Sequence, residues 1–208
     1  MRKKHVNNQL ACEYPERIFV WNRDPSEFVS WLNEQRTEQA LSVEIGMGTG
    51  DFLISQAKLF PNRFFLGLEI KKDRIYKAFK KAQAEGINNI AFLQTDARNL
   101  IQYNFPLLES LYLLFSDPWP KKRHARRRLT SERFLTLYHP LLGESGQLVL
   151  KTDNSDLFGF SLESLRSKDW RILEENKNFR TPEDEQSAYE RNFVLQGIPI
   201  NYAVAKPS

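Results

Sequence analysis

The 208-residue sequence predicts an α/β fold: a mostly parallel seven-stranded sheet with an antiparallel edge strand and helices on both faces. Three observations predict it. Apolar runs of strand length alternate with stretches whose apolar residues recur at helical spacing. Acidic residues stand at or just past successive strand ends, the edge where open α/β sheets bind ligands. Two late strand-like stretches have no evident helix between them, which suggests the antiparallel edge.

Residues 1–22 lack a clean period and read as an N-terminal extension, with the first ten residues prone to disorder. Tyr14, Ile18, Phe19 and Trp21 offer apolar groups that can pack on the body. From Pro25 to Leu32, residues Phe28, Trp31 and Leu32 fall at helical spacing. Ala40 to Leu53 reads as strand, glycine turn and helix start, with the helix running from Phe52 to Phe60. Gly46, Gly48 and Gly50 alternate in the turn, where a missing Cβ lets backbone approach a ligand. The helix then points its amide-rich N-terminus back at that turn. Such a glycine pattern alone also describes loops that bind nothing.

Arg63 to Ile70 is the second strand. Its Glu69 lies about 20 residues past the glycines, where a carboxylate can accept both hydroxyls of a ribose. A capping or surface role is the plainer alternative. Ile75, Ala78, Phe79 and Ala82 form one buried helical face, closed by Gly86 as a C-terminal cap. Asn89 to Gln94 is the third strand, with Asp96 just beyond it. Ser110 to Phe115 is an apolar fourth strand.

The segment after that strand is the most distinctive. Asp117-Pro118-Trp119-Pro120 holds a carboxylate and a flat aromatic in backbone that proline keeps extended. Lys121, Lys122, Arg123, Arg126, Arg127 and Arg128 follow. A solvated basic loop is one reading. A surface that grips a polyanion while the carboxylate acts on a base is the other. The formal net charge is +4, and without these six residues the acidic groups would outnumber the basic ones. The positive charge is therefore local, which favours a docked nucleic acid over diffuse attraction.

Thr130 to Leu141 reads as a helix with Phe134, Leu135 and Tyr138 on one face. Gly146 to Asp153 is the fifth strand, Ser155 to Arg166 a helix, and Trp170 to Leu173 a further strand. The polar stretch 176–187, with Pro182, Glu183, Asp184 and Glu185, reads as a mobile surface loop. Tyr189 to Ala205 is expected to supply a final strand or hairpin.

Hydrophobic residues make up 41% of the chain, enough for one core and a single domain over 1–208. No apolar run approaches the roughly 20 residues that cross a bilayer. The single Cys12 cannot form an internal disulfide, and a cytoplasmic location is the simple expectation. His5, His124 and His139 show no metal-ligand spacing, so no metal is expected.

Val43-Glu44-Ile45-Gly46-Met47-Gly48-Thr49-Gly50 resembles the first motif of the Rossmann-like class I S-adenosylmethionine-dependent methyltransferases. Taken with Asp117-Pro118-Trp119-Pro120-Lys121-Lys122-Arg123-His124, the chain closely resembles the bacterial tRNA guanine-N7 methyltransferases from about Glu13 onward. The resemblance implies methyl transfer from S-adenosylmethionine to N7 of a guanine in the tRNA variable loop. It implies that Glu44, Glu69, Asp96 and Asp117 contact the cofactor, with Gly46, Gly48 and Gly50 leaving room for it. Asp117 is also the implied catalytic residue, and Lys121 and Asp153 the implied substrate contacts. A late Thr-x-Tyr-Glu substrate motif corresponds to Ser187-Ala188-Tyr189-Glu190, where serine keeps the hydroxyl and loses the methyl. Arg123, His124, Arg126, Arg127 and Arg128 align with an RNA-contacting stretch, with Ala125 where a polar residue is usual.

Two other readings stay open. A nicotinamide-dependent enzyme would also use a glycine turn and Glu69, but leaves the basic segment unexplained. A non-catalytic RNA-binding module explains the basic segment, but leaves the strand-end carboxylates idle. The expected partner is tRNA, with no membrane, and the chain is a monomer or a homodimer.

Overall fold

A computed structural model describes residues 18–20, 24–167, 169–180 and 188–208, with backbone only for 18–20, 188 and 189. The chain divides into two compact units, Met1–Phe105 and Pro106–Ser208.

The first unit runs β1 (Ile18–Val20), α1 (Pro25–Arg36), β2 (Ala40–Ile45), α2 (Asp51–Leu59), β3 (Arg63–Glu69), α3 (Lys72–Ala84) and β4 (Ile90–Gln94). Its strands order β1-β4-β3-β2 and pair in parallel. Near-continuous apolar strands are what a sheet covered on both faces requires: β3 is buried from Phe64 to Glu69. The short β1 falls inside the expected N-terminal extension and adds a strand to the seven anticipated.

Helix α1 starts at Asp24, whose Oδ1 accepts the Ser26 amide at 2.9 Å, with Pro25 in the first turn. Its Phe28 packs edge-on against Tyr103 and Phe105. The expected face of α3 is buried at Ile75, Ala78, Phe79 and Ala82, in one core cluster with Met47, Leu53 and Phe92. Gly86, at φ +67°, closes that helix, with the Ile87 amide donating to the Ala82 carbonyl. Gly67 in β3 is where Met47 packs: a Cβ there would overlap the Met47 sulfur.

The second unit runs β5 (Leu108–Leu114), a 3-10 turn over Lys122–Arg127, α4 (Glu132–Leu142), β6 (Gln147–Thr152), α5 (Ser155–Arg166), β7 (Trp170–Asn176), α6 (Ala188–Leu195) and β8 (Asn201–Pro207). Its strands order β5-β6-β8-β7. β5 and β6 are parallel, and β8 runs antiparallel to both β6 and β7. Phe134, Leu135 and Tyr138 form the expected buried face of α4.

The expected final strand is present. Only Asn201–Pro207 of the late segment is a strand, while Ala188–Leu195 is helical. The aromatic and β-branched residues of Tyr189 to Leu195 suggest a strand, but tertiary contacts decide. Glu190 reaches Lys151 of β6, and Phe193 packs on Phe115 with ring centroids 5.5 Å apart. No helix among the described residues is long and apolar enough to cross a membrane.

Candidate functional site

In the first unit the glycine turn leaves β2 in left-handed backbone: Gly46, Gly48 and Gly50 have φ of +79°, +57° and +74°. These values favour glycine, and here they serve two different ends. A Cβ at Gly46 or Gly48 would meet nothing within 4 Å, so both border open space. A Cβ at Gly50 would stand 2.8 Å from the Ala78 Cβ, so this glycine seats α2 against α3.

Glu44 lies one residue before the end of β2 and is only 4% exposed. Its Oε2 has no hydrogen-bond partner among the described residues. Burial, reinforced by the negative charges of Asp51 and Glu69, pushes its carboxyl up to about 8. A buried carboxylate without a cation is unfavourable unless something else supplies the charge. Asp51 itself is engaged locally: Thr49 Oγ1 and Lys81 Nζ each donate to it at 2.6 Å.

Glu69 ends β3 and is buried. Its Oε1 accepts the Ile70 and Lys71 amides at 2.8 and 3.0 Å, and Arg74 stands 3.5 Å from Oε2. Asp96 follows β4 and caps the 3-10 turn Ala97–Gln102. Arg98 grips it in a fork, Nε to Oδ1 at 2.8 Å and Nη2 to Oδ2 at 2.7 Å. The hydrogen bonds to Asp96 raise the Arg98 guanidinium further. Glu69 and Asp96 each have an arginine beside them, whereas Glu44 feels the negative charge of Asp51 and Glu69.

In the second unit the functional segments leave adjacent parallel strand ends. Leu114 of β5 is in register with Lys151 of β6, and the Phe115 amide donates to the Lys151 carbonyl at 2.8 Å. Past that bond, Phe115 takes φ +50° and Trp119 takes φ +44°. Such backbone at bulky residues costs roughly 1–3 kcal/mol each and persists only where surrounding structure enforces it. Asp117 lies between them with its side chain exposed.

Arg128 lies against this turn. Its Nε donates to the Pro118 carbonyl at 3.0 Å and its Nη2 to the Trp119 carbonyl at 3.2 Å. Its guanidinium also lies over the Phe160 ring of α5, 4.4 Å from the centroid. Hydrogen bonds from a charged donor contribute roughly 1.5–3 kcal/mol each, a size that can offset the strain. Arg128 is buried, at 9% exposed, unlike Lys121, Lys122, Arg123, Arg126 and Arg127. Arg128, expected at the RNA, thus directs two of its N–H groups at the protein's own backbone.

Arg127 stacks on Trp119 at 4.8 Å, and His124 meets the same ring edge-on at 5.8 Å. One face of the indole is thus already occupied.

Asp153, just past β6, is half-buried. Beside it Lys151 forms a buried ion pair with Glu190 at 3.2 Å, the side chains 6% and 1% exposed. Lys151 also stands 5.3 Å from the Phe179 ring. Glu190, expected at the substrate, is paired with this lysine. Ser187 lies outside the described residues, and Tyr189 is described in backbone alone. Sequence reasoning misses Lys151 and the role of Arg128. The signal for Lys151 is a cation inside an otherwise apolar strand, Leu148-Val149-Leu150-Lys151. No comparable signal marks Arg128 among its five basic neighbours.

Residues 38–201 match the family model described as "Putative methyltransferase". A tRNA (guanine-N(7)-)-methyltransferase of Limosilactobacillus reuteri is 38% identical over 99% of both chains. The 16S rRNA methyltransferase KamB superposes with a TM-score of 0.68 at 16% identity, over 92% of this chain and 99% of its own. SMU.1697c of Streptococcus mutans, solved in complex with SAH, gives 0.56 at 9% identity, over 90% and 99%. The structural neighbours share the fold of Rossmann-like methyltransferases, and the full-length identity places the chain in the tRNA (guanine-N7)-methyltransferase family.

Proposed function

We propose that the protein transfers a methyl group from S-adenosylmethionine to N7 of a guanine in tRNA, with the variable-loop guanine as its target. The products are 7-methylguanosine and S-adenosylhomocysteine. The observation that carries this reading is the 38% identity over nearly the whole length of a relative bearing that name.

The first unit suits the cofactor. A buried carboxylate oxygen without a partner at Glu44 fits an ammonium group, and the free space at Gly46 and Gly48 fits ligand atoms close to the backbone. Glu44 would hold the methionine end and Glu69 the ribose hydroxyls, with Asp96 near the adenine. When bound, S-adenosylmethionine supplies an electrophilic methyl on a sulfonium. A ligand of the same class, SAH, occupies the distant structural neighbour from Streptococcus mutans.

The second unit suits the guanine and the RNA. Guanine N7 carries an in-plane lone pair and no proton, so its attack needs no base. Catalysis then rests on alignment and electrostatics. Positive charge arrives on the purine as the methyl is accepted, and the exposed Asp117 carboxylate stabilises it. Lys121 and Asp153, from neighbouring strand ends, orient the base or its phosphate. The exposed Lys122, Arg123, Arg126 and Arg127 contact RNA phosphates and release counterions, so binding weakens steeply with salt.

Incubation of the purified chain with methyl-labelled S-adenosylmethionine and unmodified tRNA, followed by nucleoside analysis, tests the reading. Label should appear as 7-methylguanosine. Asp117→Ala should lower kcat by roughly a hundredfold or more at saturating tRNA, the scale of one lost electrostatic contact. Label in another nucleoside overturns the reaction assigned, and near-normal turnover overturns the role of Asp117.

A further inference from the structure

We propose that Arg128 is a positioning residue for the catalytic loop, fixing Asp117 through the carbonyls of Pro118 and Trp119. The inference rests on the catalytic reading of Asp117 and goes beyond it.

The sequence places Arg128 at the end of a basic run, where it looks like one more phosphate contact. Three observations separate it from the run. It is buried, while the lysines and the other arginines of the segment are exposed. Two of its N–H groups are directed at consecutive backbone carbonyls, Pro118 at 3.0 Å and Trp119 at 3.2 Å. Its flat face is covered by Phe160 of α5. Two of its N–H groups and one face of the guanidinium are thus engaged by the protein itself.

The loop it grips has a specific need. Asp117 sits between two non-glycine residues with positive φ, Phe115 and Trp119. Proline on each side of Trp119 fixes neighbouring backbone, and the strand anchors Phe115 through its amide. What remains adjustable is the turn at Trp119, whose carbonyl and that of its predecessor are the two that Arg128 holds. Without the guanidinium, Trp119 can relax toward negative φ and swing Asp117 away from its working position. Lysine cannot substitute, because one ammonium lacks the rigid fork that spans two carbonyls and the plane that stacks on Phe160.

The test compares Arg128→Gln, Arg128→Lys, Arg126→Ala and Asp117→Asn in steady-state methylation and tRNA binding across salt concentrations. The Arg128 variants should lose about a hundredfold in kcat, the scale of a displaced catalytic group, with tRNA affinity and its salt slope unchanged. Arg126→Ala should instead flatten the salt slope of tRNA binding by about one unit and weaken that binding. Methylguanidine added to Arg128→Ala should restore part of the lost kcat, and should restore nothing to Asp117→Asn. Should Arg128→Gln fail to fold, Arg128→Lys and the methylguanidine arm decide. Wild-type kcat in any folded Arg128 variant, or a salt slope reduced by about one unit, overturns the proposal. Normal kcat in Asp117→Asn overturns the catalytic reading of Asp117 by itself, whatever the Arg128 variants do.

Discussion

Glu44 in the first unit and Glu190 in the second are both buried carboxylates, and they solve the same electrostatic problem in opposite ways. Glu190 carries its own cation, Lys151, at 3.2 Å. Glu44 has none: its Oε2 is unpartnered among the described residues, and its carboxyl is pushed up to about 8. One carboxylate is complete within the fold, and under the proposed function the other is completed by the cofactor's ammonium. The turns beside them differ in the same sense. Gly46 and Gly48 reach left-handed backbone freely, whereas Phe115 and Trp119 reach it in held backbone, Phe115 through its amide on Lys151 and Trp119 beside the carbonyls that Arg128 grips. Under the proposed function, bare backbone serves where a ligand comes close, and held, strained backbone where the Asp117 carboxylate is presented.

Breaking the built-in pair should have the largest effect. Glu190→Gln leaves Lys151 charged and buried, which should lower unfolding free energy by about 3–5 kcal/mol in urea denaturation. Lys151→Met combined with Glu190→Leu should recover most of that loss, since two apolar groups leave no unpaired charge. A Glu190→Gln variant of wild-type stability would remove the contrast.

Glu44→Gln should do the opposite to the ligand-free protein. The folded carboxyl, at about 8, lies well above its ordinary value of 4.5, so the folded state holds a proton that the unfolded chain has released. Stability should therefore fall as pH rises from about 4.5 to about 8, by up to roughly 1.4 kcal/mol per pH unit. Glu44→Gln should flatten that slope in urea titrations between those limits. S-adenosylmethionine affinity should rise with pH through the same window, because an ammonium favours the ionised carboxylate. Calorimetry should find this rise lost in Glu44→Gln, along with much of the affinity.

The glycines sharpen the comparison by a smaller amount. Gly50→Ala meets both positive φ and the Ala78 Cβ at 2.8 Å, and should cost about 2 kcal/mol in denaturant unfolding. Gly46→Ala meets only the backbone term and should cost about 1 kcal/mol. Equal losses at the two positions would show that the space beside Gly46 is not open.

Much of this contrast is legible in the amino-acid sequence. The alternation of apolar runs locates β2, β3, β4, β5 and β6, and the i, i+3, i+4, i+7 face locates α3, because burial imposes those periods directly on sequence. Glu44, Glu69, Asp96 and Asp117 are readable as strand-end carboxylates for the same reason. What stays hidden depends on partners far along the chain. Lys151 and Glu190 lie 39 residues apart, and Arg128 reaches back ten residues to Pro118. Helix α6 is not distinguished from the final strand in the sequence, because local propensity does not register Phe115 or Lys151. Three-dimensional burial, rather than composition, distinguishes Arg128 from Arg126.

The strand order β5-β6-β8-β7 carries a consequence for biosynthesis. A ribosome that has just released Asn176 has made three of these four strands, yet the one that joins β6 to β7 is still unmade. Strand β7 then waits, its ladder groups bare, until Asn201–Pro207 emerges and slots between them. Closure of the second unit thus waits on β8, and until then the facing edges of β6 and β7 are unpaired.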